Sequence, residues 1–84
     1  MSEIRIIGLM IQDRIKEAGR TQQVLSKYSD IIRSRLGFHE VTSAVCSRVG
    51  VVLLQLTGAP SRWDELEREL SGIGGIQVKH ISFE

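Results

Sequence analysis

Four side chains in the middle of this 84-residue chain have types and spacing that could do chemistry: Arg33, Arg35, His39 and Cys46. Imidazole nitrogen and thiolate sulfur are good ligands for nickel, copper or zinc. His39 and Cys46 stand seven residues apart, near enough to meet across a hairpin. One such pair is too few donors for a closed metal site, so a metal would lie where two subunits each supply a pair. The plainer reading is a surface histidine and a cysteine that packs as a small apolar side chain. Arg33 and Arg35, with His39 nearby, form a cationic patch able to grip a carboxylate or phosphate ligand. Their plainer reading is an edge strand that uses charge to resist strand addition.

No catalytic set accompanies them. A Gly-x-Ser-x-Gly elbow is missing, and His39 and His80 are each isolated in the sequence. The glycines Gly72, Gly74 and Gly75 follow a helical pattern instead of opening one, which is the geometry of a helix stop and not of a phosphate cradle. No catalytic residues are therefore expected, and the sequence names no cofactor.

The elements that would position these residues are legible from period. Val49–Leu56 is a short apolar run closed by Thr57, Gly58, Ala59 and Pro60, and reads as a strand. Both of its faces are apolar: Val51 and Leu53 on one, Val52, Leu54 and Leu56 on the other. Ile4–Ile11 has the same two-sided character, with Ile4, Ile6 and Met10 opposite Ile7, Leu9 and Ile11. Between them, Asp13 is placed to cap a helix carrying Ala18, Thr21, Leu25 and Tyr28 on one stripe, with Val24 adjacent. Ile31–Phe38 alternates, with Ile32, Leu36 and Phe38 expected on one face and Arg33, Arg35 and Gly37 on the other. Ser61 to Asp64 fits a capping box opening a second helix with the stripe Trp63, Leu66 and Leu70. Gly72 suits a left-handed helix end, and Ile76–Phe83 closes the chain as an alternating strand.

Strand, helix, strand, strand, helix, strand is the split βαβ order, which predicts an α+β ferredoxin-like (ACT-like) βαββαβ sandwich spanning residues 1–84 as one domain. Both helices then cover one face of a four-stranded antiparallel sheet whose central strands are the first and third. Those are the two strands apolar on both sides, so the open face needs a cover. A second copy is the simplest one, with Val51, Leu53, Ile4 and Ile6 as the expected interface in a homo-oligomer, a dimer or a dimer of dimers.

Bulk properties narrow the partners. The net charge of +1 comes from 11 basic and 10 acidic residues that are interspersed, so no basic arm for direct nucleic-acid binding is expected. The N-terminal apolar run carries Arg5 and is too short for a membrane span. A single cysteine permits no internal disulfide, in keeping with a cytoplasmic location.

The runs Ile6–Arg14, Tyr28–Phe38, Gly50–Leu56 and Gly72–Lys79 together resemble a family of short bacterial proteins identified as iron-only hydrogenase system regulators. The resemblance covers nearly the whole chain through strand and turn patterns. It implies an ACT-like ferredoxin fold, similar to the C-terminal sensing domain of the nickel-responsive repressor, in dimers or tetramers. That repressor binds nickel through three histidines and a cysteine. Here His39 matches one histidine of its His-x-His pair, while Gly37 holds the other position. Ser26 lies near the third histidine and Gly50 near the cysteine, with Cys46 four residues early. The same nickel site is not expected. The leading expectation is a non-enzymatic regulatory module that oligomerises and takes a small-molecule or metal effector between subunits. The alternatives are a ligand-free assembly protein and a small ferredoxin-like enzyme. An acylphosphatase would need a catalytic asparagine, and the chain contains none.

Overall fold

In the computed structural model the chain runs β1 (Ile4–Ile11), α1 (Arg14–Lys27), β2 (Ile32–Val41), β3 (Cys46–Leu56), α2 (Pro60–Ser71) and β4 (Ile76–Phe83), with a 3-10 turn over Ser29–Ile31 before β2. The structure describes residues 4–41 and 46–83; the side chains of residues 14, 15, 38–41 and 46–48 lie outside that description. The strands form one sheet in the order β2-β3-β1-β4, with every neighbouring pair antiparallel. This is the α+β ferredoxin-like arrangement, and β1 and β3 are its central strands.

Alternation divides the sheet into two faces. Ile7, Leu9, Ile11, Leu54 and Leu56 point to the helices and are at most 5% exposed. They meet Leu25 and Tyr28 from the α1 side and Trp63, Leu66 and Leu70 from α2. Trp63 is seated by its indole N–H, which donates to the Thr57 carbonyl at 2.9 Å. The opposite residues of β1 and β3 have no helix over them.

Local chemistry departs from the sequence expectation in four places. The register of β2 against β3 slips between Ile32 and Ser34, a bulge that reverses the alternation. Ile32 therefore packs against the core while Leu36 stands 55% exposed on the open face, instead of sharing a face with it. On α1 the buried stripe is Glu17, Thr21, Leu25 and Tyr28, and Ala18 is exposed. Helix α2 starts at Pro60, with Ala59 as N-cap and no side-chain cap. Proline's fixed φ and missing N–H suit the first helical position, so Ser61 already lies inside the helix. Gly72 is right-handed at φ −76 and donates to the carbonyls of Arg68 and Glu69. The left-handed glycine of this turn is Gly75, at φ 82, whose carbonyl accepts from Gln12 N–H at 2.9 Å.

The expected cap on α1 is present: the Asp13 carboxylate accepts from Lys16 N–H at 3.1 Å. Strand β1 reaches only as far as Gly50 on β3, while β2 and β3 stay paired out to Val41 and Cys46. The distal part of this hairpin thus extends beyond the four-stranded sheet, and the molecule measures 48 × 21 × 18 Å. The segment between them, which includes Val45, lies outside the described residues.

Candidate functional site

The open sheet face is built from the outward positions of all four strands. Pairing sets Met10 beside Val51, Gly8 beside Leu53, and Leu36 beside Leu53, while Ile4 and Ile6 face Phe83 and Ile81 on β4. Met10, Leu36, Val49, Val51, Leu53, Ile81 and Phe83 are all more than a third exposed. Single exposed apolar residues are ordinary on any surface, but seven on one face make a continuous patch. Ile4 and Ile6 are half-buried within it. The one formal charge among its described residues is Lys79, which pairs with Gly8. Where Gly8 lacks a side chain the face dips, leaving a hollow of about 240 Å³ lined by Gly8, Leu9, Met10, Val51, Gln77 and Lys79. An added Cβ at Gly8 would meet Leu53 Cδ2 at 3.6 Å and the Lys79 carbonyl at 3.9 Å, both ordinary contacts. The hollow is therefore not forced by the backbone.

Of the sequence-derived polar candidates, Arg35 turns toward the helices and donates to Gln22 Oε1 of α1 at 2.9 Å. It borders a groove of about 180 Å³ between α1 and β2, lined also by Gln22, Leu25, Ser26, Ser29 and Ile32. Arg33 is exposed and falls inside the bulge, so the two-residue spacing no longer sets it beside Arg35. His39 pairs with Gly50, and Cys46 with Val41, in the β2–β3 ladder. The side chains of His39 and Cys46 lie outside the described residues. Among the described residues, no three His, Cys, Asp or Glu side chains gather as a metal would require. No helix among them is long and apolar enough to cross a membrane.

Three polar groupings were not read from the sequence, and two of them are assembled across elements. Arg5 Nη1 lies 2.8 Å from Asp64 and 2.6 Å from Glu67, and Arg5 Nε donates to Ser82 Oγ at 3.0 Å. Its guanidinium also sits 5.2 Å from the centre of the Trp63 ring. The hydrogen bond to Asp64 foremost, opposed by partial burial and reinforced by Glu67, raises the Arg5 pKa. His80 is not isolated: its Nδ1 is 2.5 Å from the second oxygen of Glu67. Asp64, expected to reach back within its own helix, is thus taken up by β1.

Tyr28 forms the second cluster. Its hydroxyl donates to Glu69 on α2, and Lys27 Nζ reaches the same carboxylate at 3.1 Å. Arg62 packs over the Tyr28 ring at 5.2 Å and binds Asp30 at 2.9 Å. The hydrogen bond to Glu69, then burial, pushes the Tyr28 pKa up to about 12. Glu69 is correspondingly held below the usual carboxylate range, first by Tyr28 and then by Lys27.

The third pair is Glu17 and Thr21, one turn apart on the buried stripe of α1. They are 8% and 4% exposed, and Glu17 Oε2 and Thr21 Oγ1 have no hydrogen-bond partner. The signal in the sequence was spacing: Glu17 lies four residues before Thr21 and eight before Leu25, so it shares their face.

No family model matches the chain, and no curated protein matches it. Among solved structures it is similar to the uncharacterized protein TM1266 from Thermotoga maritima, with a TM-score of 0.82 over 98% of this chain and 99% of that one. The two sequences are 20% identical, so the likeness carries the fold: this chain has the architecture of TM1266, end to end.

Proposed function

We propose that this chain is a regulatory module, not a catalyst, which assembles with a second copy of itself through the open sheet face and takes a small effector at the assembly. The observation that carries the reading is the patch of seven exposed apolar side chains on the face that has no helix. Four strands about 4.8 Å apart and about eight residues long give roughly 500 Å² of flat area per copy before side-chain relief is counted. Two such faces bury about 1,000 Å² or more, the size at which specific interfaces begin. A nucleic acid would want several cations there, and the described face offers Lys79 alone. An identical apolar face offers the complement that a polar partner does not.

A covering copy would also roof the hollow at Gly8, turning an open dip into an enclosed space with the Lys79 ammonium at its edge. That is a suitable seat for a small effector bearing a negative charge. The resemblance to the iron-only hydrogenase system regulators supplies the context, control of that enzyme system by a module that senses rather than reacts. Sedimentation equilibrium at micromolar concentration tests the assembly. A mass of two or four chains is expected, and a monomer at every concentration sinks the reading.

A further inference from the structure

We infer that Arg20 and Arg68 form a binding site for a phosphate group, free or carried on a small molecule, in the groove between α1 and α2. This groove belongs to the helix layer, on the other side of the sheet from the face proposed for assembly, and the inference stands or falls without that proposal.

Cross-helix contacts set the two arginines together. Arg62 at the start of α2 binds Asp30 at 2.9 Å, just past the end of α1, and Lys27 at the end of α1 reaches Glu69 at 3.1 Å, so the helices run antiparallel. About two turns back along α1 from Lys27, Arg20 lines a hollow of about 300 Å³ together with Arg68, Gln23, Val24, Gly72 and Ile73. That volume is at the lower end of the range for small-molecule sites. Neither Arg20 nor Arg68 has a hydrogen-bond or ion-pair partner among the described residues, whereas Arg5, Arg35 and Arg62 are each held by one. The acid that borders the hollow, Glu69, is already engaged: Lys27 Nζ meets both of its oxygens at 3.1 Å, and the Tyr28 hydroxyl donates to one of them. Arg68, in the last turn of α2, suits the negative end of that helix. That does not account for Arg20, which lies midway along α1 and brings a second positive charge to the same hollow.

The donor set selects the ligand. A guanidinium carries its N–H donors in a planar fork, and two forks match the several oxygens and double negative charge of a phosphate. A metal cation is repelled by both arginines. A monocarboxylate fills one fork and neutralises one charge, leaving the other unanswered. A nucleic-acid backbone needs a longer run of cations, and the acidic residues Asp64, Glu65, Glu67 and Glu69 along α2 repel a polyanion. The Gln23 amide adds a neutral donor at the rim. Ile73 is buried and Val24 half-buried, so they give the hollow an apolar wall beside which a short hydrocarbon on the phosphate can lie.

The test is a nitrogen-15 NMR titration of the full chain at about pH 7.5, where a phosphate is mostly dianionic. The probes are inorganic phosphate and propyl phosphate, with acetate and sodium chloride at matched ionic strength as controls. Saturable shifts are expected at the amides of residues 20–24 and 68–73 with the two phosphates alone. Arg20→Gln and Arg68→Gln should each weaken the binding about tenfold, since each removes one charge-assisted pair. Both side chains are exposed, so the variants should keep the fold, and their amide spectra report whether they do. Tighter binding of propyl phosphate assigns the site to an ester, and equal binding assigns it to free phosphate. No saturable shift with either phosphate, equal shifts with acetate or chloride, shifts confined to residues 8–10 and 77–79 at the Gly8 hollow, or unchanged binding in either folded variant would each overturn the proposal.

Discussion

Replacing Leu53 by glutamate separates assembly from folding. Leu53 stands on the open face, 38% exposed, between Gly8 and Leu36, while its neighbour Leu54 points to the helices and is fully buried. Full burial of a leucine side chain is worth about 1.5–3 kcal/mol, so covering the remaining exposed fraction contributes roughly 0.6–1.1 kcal/mol per copy. A two-fold interface counts the residue twice, giving about 1–2 kcal/mol. The carboxylate adds a desolvation penalty of several kcal/mol when a second apolar face covers it. Together these weaken association by about a thousandfold or more. In the separated chain the substitution is mild, because Lys79 flanks Gly8 from the other side and can accept the new charge. The comparator, Leu54→Ala, removes core volume and should cost about 2–5 kcal/mol of folding stability. Sedimentation equilibrium and urea unfolding of both variants provide the assay. L53E is expected as a folded monomer with near-normal unfolding, and L54A as a destabilised chain that still assembles when folded. An L53E protein with unchanged mass would refute the assignment of the open face to assembly.

The other predictions address separate parts of the structure. Filling the hollow with Gly8→Val should leave the monomer folded, since the new Cβ meets only ordinary contacts, yet weaken association and close the effector seat, as read by the same mass measurement. Tyr28 is the only tyrosine, so phenolate absorbance reports it alone, and its midpoint should lie at about 12 in the folded chain. The folded pKa is raised above the unfolded value of 10.0, so this contact contributes fully below pH 10 and is lost as pH rises from there through about 12. Glu69→Gln removes the carboxylate that holds the phenol neutral and should bring the midpoint down toward 10, whereas an unchanged midpoint would contradict the assigned cause. Gly58 has φ 93, and an added Cβ would come 3.2 Å from Ile31 Cγ2. Gly58→Ala should therefore cost about 1–2 kcal/mol in chemical denaturation, through backbone strain and the crowding of Ile31.

The order of elements and the centre of the sheet were legible in the sequence because they depend on local period. Ile4–Ile11 and Val49–Leu56 announce strands by alternation, Trp63, Leu66 and Leu70 announce a helix, and apolar residues on both faces of β1 and β3 announce central strands. Asp13 is recognisable as a cap for the same reason, since its hydrogen bond closes within four residues. Where a residue's fate depended on a partner far along the chain, local reading stopped. The bulge at Arg33 reverses β2 and separates Ile32 from Leu36, and only the ladder to β3 reveals it. Asp64 looks like a capping residue until Arg5, 59 positions away, claims it.

What the sequence by itself determined, then, is which strands need burial on two sides; their composition demands it whatever the topology. The tertiary structure decided which side each residue takes, which polar groups pair, and that Glu17 and Thr21 are enclosed without partners. The physical reason is range: alternation and helical period are set by bonds between near neighbours, whereas burial and pairing are set by elements that meet only when the sheet closes.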